Sequence, residues 1–173
     1  MRNLIQLLGI LLFSVVAFAQ APTPVAKPTP NPMVTPKPNL AVIARLRKDL
    51  KGRYSLKCTL SPCVIRGDFD GDRIVDKAAL VAHLSTGKKG IVIVHGNGVS
   101  LPIGPGNPIG EGGEDYSWLK GWKSNRTRKV PQPNSQVQPP VLKGESLLLE
   151  REGAPSVMIY WNGEKYDWYT LGQ

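Results

Sequence analysis

The sequence predicts a mainly β (α+β) domain, a compact antiparallel β-sheet with one N-terminal helix, on three observations. Short apolar and β-branched runs recur between turn-forming residues through the later part of the 173-residue chain. An Asn162-Gly163 pair stands between two aromatic-rich runs near the C terminus, the strongest short-range hairpin signal. A single stretch, near residue 40, has helical spacing.

The chain opens with Arg2, an almost unbroken apolar stretch from Leu4 to Val16, and the small residues Ala17 and Ala19 flanking Phe18. That pattern predicts a secretory signal peptide over 1–19, with no Cys near the cleavage point to take a lipid anchor. No later apolar run reaches the roughly 20 residues of a transmembrane helix. A periplasmic or secreted location is expected, with no transmembrane segment after signal removal. Residues 20–39 are dense in Pro, interleaved with Thr, Lys, Val and Asn, a composition for an extended polyproline-like linker. The folded region, 40–173, has the length of a single domain.

Within it, Val42, Ile43, Leu46 and Leu50 are spaced for a helix over Leu40 to Lys51, with Gly52 placed to end it. Short strands are expected over Arg53 to Cys58 and Cys63 to Arg66, then longer ones over Asp76 to Leu84 and Ile91 to His95. Gly96 to Gly113, rich in Gly and Pro, reads as irregular, and Val130 to Pro140 as an exposed loop before a strand at Ser146 to Glu150. Val157 to Trp161, Asn162-Gly163 and Glu164 to Tyr169 form the hairpin, with a type I′ turn at Asn-Gly. Its register puts Val157, Ile159, Trp161, Tyr166 and Trp168 on one face, either as a core wall or as a sugar-stacking platform.

Residues 67 to 76 read Gly-Asp-Phe-Asp-Gly-Asp-Arg-Ile-Val-Asp. Asp68, Asp70, Asp72 and Asp76 thus occupy the first, third, fifth and ninth positions of one short loop, with the backbone carbonyl of Ile74 at the seventh. A hard cation such as Ca2+ takes six to eight oxygen ligands at about 2.3 to 2.6 Å, and this spacing lets alternate carboxylates converge on it. An EF-hand would require Glu at the twelfth position, where Ala79 stands. The run from the acidic loop into Ala78, Ala79, Leu80 and Val81 resembles the FG-GAP or VCBS repeat of propellers and of many exported bacterial proteins. The resemblance implies a structural calcium ion on Asp68, Asp70, Asp72, Asp76 and the Ile74 carbonyl. The family usually has Gly where this chain has Arg73, so Arg73 is expected at a left-handed turn at a cost of about 1 kcal/mol. Weak binding, roughly 10⁻⁴ to 10⁻³ M, suits such a site. One copy of the loop does not make a propeller, so that architecture is not expected.

More broadly, the acidic loop, the Gly-Gly-Glu-Asp stretch ahead of Trp118 and Trp122, and the aromatic hairpin resemble small exported single-domain bacterial proteins of uncharacterised function. Cys58 and Cys63 are the only cysteines, and in an oxidising compartment their short spacing predicts a disulfide.

The chain has 22 Lys and Arg against 13 Asp and Glu. Setting aside Arg2, Lys27 and Lys37 leaves 19 against 13, a net +6 on the folded region. Lys120, Lys123, Arg126, Arg128 and Lys129 cluster beside Trp118 and Trp122, a partner-facing surface for an envelope protein or an anionic envelope polymer. Nucleic acid is not expected. His83 and His95, the only histidines, fall in strands with no metal-ligand spacing and read as packing or surface residues. No catalytic motif is present. The expected function is an exported, calcium-stabilised binding or structural module of the bacterial envelope. The alternatives are an envelope hydrolase using Glu111, Glu114 and Asp115, or an inhibitor or adaptor of another exported protein.

Overall fold

The computed structural model describes residues 40–50 and 52–172; the expected signal peptide and Pro-rich linker lie outside the described residues. A helix, α1 (Leu40–Asp49), ends three residues before Gly52, whose φ of +69° is the left-handed conformation glycine adopts freely. Among the described residues nine strands follow, in two antiparallel sheets. The first holds β1 (Tyr54–Leu56), β2 (Val64–Gly67), β3 (Asp76–His83), β4 (Lys89–Val94) and β5 (Ser100–Ile103). The second runs β6 (Leu119–Asn125), β7 (Ser146–Arg151), β8 (Val157–Trp161) and β9 (Tyr166–Thr170) in sequential order. Neither sheet closes into a barrel, and no propeller is formed among the described residues.

The sheets face each other across the main core. Ile65, Ala78, Leu80, Ile91, Ile93 and Ile103 from the first meet Trp122, Leu147, Leu149, Val157, Ile159 and Tyr166 from the second. The alternate residues Ala79, Val81, Val92 and Val94 pack on Leu46 of α1 and on Leu50 just after it, so the helix covers the outer face of the first sheet. With both faces buried, β3 and β4 read as continuous apolar runs rather than alternating ones. The outer face of the second sheet, at Met158 and Tyr169, is covered by the Pro-rich insert through Leu142. That insert is largely exposed, as its composition predicts, yet it is pinned. The Asn134 N–H donates to the Tyr169 hydroxyl at 2.9 Å, that hydroxyl donates to the Val137 carbonyl at 3.2 Å, and the Gly172 N–H donates to the Gln132 carbonyl at 2.8 Å.

β1 and β2 pair with the two halves of β3, Leu56 opposite Val81 and Val64 opposite Ala79. They are one edge strand interrupted by an excursion, and the Cys58–Cys63 disulfide closes the base of that excursion. The bond accords with an oxidising, exported location. Replacing both cysteines by serine should lower stability by about 2 kcal/mol, the loop-closure value for so short a ring. An unchanged urea midpoint would show that the β3 ladder alone holds the two halves in register.

Two strands escape sequence reading for identifiable reasons. β5 contains Pro102, which argues against a strand, but β5 is a sheet edge, where a missing N–H is tolerated. β6 carries a bulge at Lys120, with Leu119 opposite Arg151 and Gly121 opposite Glu150. The extra residue spaces the buried Leu119 and Trp122 three apart and destroys the alternation that marks a strand. The C-terminal turn also differs from expectation. Trp161 pairs with Tyr166 and the Asn162 N–H donates to the Lys165 carbonyl at 3.0 Å, so the central residues are Gly163 and Glu164. Gly163 has positive φ and Glu164 does not, which excludes type I′, since that turn needs positive φ at both central residues. Asn162 instead caps the turn, its side-chain oxygen accepting the N–H groups of Glu164 and Lys165. The two-residue change in pairing leaves every side chain on its expected face. Val157, Ile159 and Tyr166 stand in the core, with Trp161 and Trp168 partly buried at its margin.

Candidate metal centre

The acidic loop is the connection between β2 and β3. Its period-two pattern turns Phe69 inward, where the ring is buried in the main core, and leaves Asp68, Asp70 and Asp72 free to converge. Each offers a carboxylate oxygen within 4.8 Å of the others. The Asp72 N–H donates to Asp70 Oδ1 at 3.1 Å and the Ile74 N–H to Asp72 Oδ1 at 2.7 Å, two successive Asx turns that curl the loop. Arg73 has φ +72°, the left-handed geometry expected at that position. The Ile74 side chain lies half-exposed against Gly96.

Asp76, the first residue of β3, is fully buried, at 0% exposure. Its two oxygens accept N–H groups from both sides, Phe69 at 2.8 Å and Gly96 at 2.9 Å. Burial pushes its carboxyl above the ordinary value, the two N–H donors pull it back in part, and Asp70 adds a further push upward. The β3–β4 register, with Lys77 opposite Val94, brings His95 beside Asp76. His95 is 6% exposed, and its Nδ1 lies 3.1 Å from Asp70 Oδ2. A carboxylate only accepts, so Nδ1 donates there, and in the neutral ring Nε2 accepts from the Tyr166 hydroxyl at 2.8 Å. Burial, with the loop carboxylates behind it, pushes the Tyr166 phenol well up and keeps it protonated.

The four sequence-predicted carboxylates fall into two overlapping groups. Asp68, Asp70 and Asp72 make one set, Asp70, Asp76 and His95 a second, and Asp70 is common to both. His95, read from sequence as packing, is packed and also reaches the loop. No sequence spacing reveals this, because strand pairing alone brings it there.

The donor set fits a hard cation on an observation of its own. Asp68 Oδ1 is buried with no hydrogen-bond partner, while Asp68 Oδ2 accepts from Arg128 Nη2 at 2.7 Å. A buried carboxylate oxygen without a donor costs free energy that a bound cation would recover. These groups could hold a metal ion.

The expected partner surface is rearranged. Trp122 is not on the surface: at 4% exposure it belongs to the core, its Nε1–H donating to the Pro62 carbonyl at 2.8 Å, because the β6 bulge turns it inward. Trp118 is half-buried, its Nε1–H donating to the Gly112 carbonyl at 3.1 Å, with the Arg151 guanidinium 5.1 Å above its ring. Lys120 pairs with Glu152 at 2.9 Å, Lys123 with Glu150 at 3.5 Å, Arg126 with Glu145 at 3.9 Å and Arg128 with Asp68. Lys129 is exposed. The Lys120 and Lys123 pairs are exposed and add little stability, but the four pairs together neutralise much of the basic face.

The carboxylates at 111–115 are committed locally. Glu111 is exposed and Glu114 pairs with Lys88. Asp115 Oδ1 accepts the Lys89 N–H, the Ser117 N–H and the Ser117 hydroxyl. Partial burial pushes the Asp115 carboxyl up, but these three donors together outweigh it and hold the group below its ordinary value. Comparison with known proteins adds nothing to this geometry: no family model, no curated protein and no solved structure matches the chain.

Proposed function

We propose that the protein is an exported, calcium-stabilised binding module, built on an FG-GAP/VCBS-like loop and acting through contact with an envelope component rather than through catalysis. The observation that supports it best is the orphaned, buried Oδ1 of Asp68, a member of a set of convergent carboxylates. Asp68, Asp70 and Asp72 would hold the ion, with the Ile74 carbonyl and Asp76 completing the oxygen set that the loop spacing offers. The ion would neutralise the mutual repulsion of these carboxylates and fasten the β2–β3 connection against β4. Its role is to hold the fold, and Arg73 beside it keeps the affinity modest.

Thermal unfolding of the full chain, in calcium and in excess chelator, tests this reading. With free calcium about a hundredfold above Kd, the stabilisation should be about 2.7 kcal/mol, and Asp70→Ala should abolish it. Identical midpoints in calcium and chelator would reduce the loop to a hydrogen-bonded acidic turn.

A further inference from the structure

A cleft of about 640 Å³ opens beside the acidic loop, between the chain that follows β4 and the tip of the β8–β9 hairpin. Asp70, His95, Trp161 and Tyr166 are among the residues that line it. This volume falls within the roughly 300 to 1,000 Å³ of small-molecule sites. We propose that the cleft binds a neutral carbohydrate, a short segment of an uncharged glycan. The proposal rests on the binding-module reading above and names the ligand of that module.

Three properties of the lining favour this ligand. First, Trp161 offers an aromatic platform in a fixed pose. Its ring meets His95 edge-on at a centroid distance of 5.6 Å and Tyr166 at 5.0 Å, which leaves an indole that is neither core nor free surface. The apolar C–H face of a sugar ring stacks on such a surface.

Second, the remaining hydrogen-bonding groups are of both kinds. Asn97 Oδ1 is taken by the Val99 N–H, which leaves its NH₂ as a donor. The NH₂ of Asn107 donates to the Pro102 carbonyl, which leaves its oxygen as an acceptor. Asp167 Oδ1 accepts the Trp168 N–H, which leaves its second oxygen. Hydroxyl groups, each donor and acceptor at once, match such a mixed lining.

Third, the charge rejects the other polymer class. The lining holds the carboxylates Asp70, Glu164 and Asp167 against the single ammonium of Lys165, on a chain whose net charge is +9. An anionic polymer is repelled from this cleft, and a purely cationic ligand leaves Lys165 and the amide donors without a role.

Asp70 and His95 belong to both the cleft and the candidate metal centre, so a bound ion would also set the shape of this part of the cleft wall.

The test is calorimetric titration of the full chain, in calcium and in chelator, with soluble tetrasaccharides of β-1,4-linked N-acetylglucosamine, β-1,4-linked glucose and α-1,4-linked glucose. Tetralysine and a hyaluronan tetrasaccharide serve as cationic and anionic probes. At least one neutral tetrasaccharide should bind saturably, and Trp161→Ala should weaken it about tenfold or more. Arg47→Ala, exposed on α1 and outside the cleft lining, should leave it unchanged. Asp167→Asn keeps the shape of the hairpin and should still weaken binding, so a folding defect in Trp161→Ala does not decide the matter. Failure of all three neutral sugars to bind, binding of tetralysine alone, or wild-type affinity in both variants overturns the proposal. If calcium raises the melting temperature and no sugar binds, the cleft assignment fails and the calcium reading stands. If a sugar binds while calcium leaves the midpoint unchanged, the calcium reading fails and the cleft assignment stands.

Discussion

Replacing Asp76 by alanine should lower the stability of the domain by about 4 kcal/mol, since each buried donor left without an acceptor costs roughly 1 to 3 kcal/mol. The side chain has no solvent exposure and joins two segments, accepting from the Phe69 N–H of the acidic loop and from the Gly96 N–H after β4. Phe69 must stay in the core, so its N–H has no route to water. Asp76→Asn keeps the volume but offers one acceptor, and its NH₂ group then confronts the second N–H, so its loss should be intermediate. Urea unfolding measures both, with an unchanged slope identifying the effect as native-state stability. Hydrogen exchange at the Phe69 and Gly96 amides should quicken in both variants. A loss below about 1 kcal/mol for the alanine variant would mean that water replaces the carboxylate and that the clamp is dispensable.

A single methyl group at Gly144 should cost about 3 kcal/mol, at the upper end of what overpacking a rigid site costs. The segment entering β7 passes directly over the acidic loop. A Cβ at Gly144 would lie 2.5 Å from the Asp68 carbonyl oxygen, 2.7 Å from the Gly71 nitrogen and 2.8 Å from the Phe69 carbonyl carbon. All three are backbone atoms, so no rotamer change relieves the clash. The Glu145 N–H, which donates to the Asp68 carbonyl at 2.6 Å, would be displaced with it. Gly153→Ala is the informative control, because that glycine has φ +67° and open space around it. It should cost only the backbone strain of about 1 kcal/mol. If Gly144→Ala and Gly153→Ala have equal effects in urea, close approach of the two segments is not what requires Gly144. Gly144→Ala should also blunt any calcium response, since it moves Asp68 and Gly71 without touching a carboxylate.

Much of the fold is legible in local sequence. The helix and its glycine stop, the strands β1 to β4 and β7 to β9, the disulfide and the shared face of the C-terminal hairpin all follow from spacing and turn residues. β5 and β6 do not. Pro102 and the bulge at Lys120 both violate the local rules for a strand, and both are tolerated only because of where the strands lie in their sheets. The same bulge explains why Trp122 looks like a surface aromatic in sequence and is a core residue in the structure.

The metal centre divides along the same line. The convergence of Asp68, Asp70 and Asp72 is a property of the stretch from Asp68 to Ile74, since alternation, two Asx turns and the left-handed positions at Gly71 and Arg73 are local. The sequence by itself therefore determined the acidic loop, the β class and the position of the disulfide, because each depends on contacts a few residues apart. Only the tertiary structure decided that His95 and Tyr166 extend the loop's network, that Arg128 spends its charge on Asp68, and that Trp161 stands at a cleft rather than in the core. Those outcomes depend on which strands pair and in what register, and that is set by burial summed over two sheets rather than by any short stretch of chain.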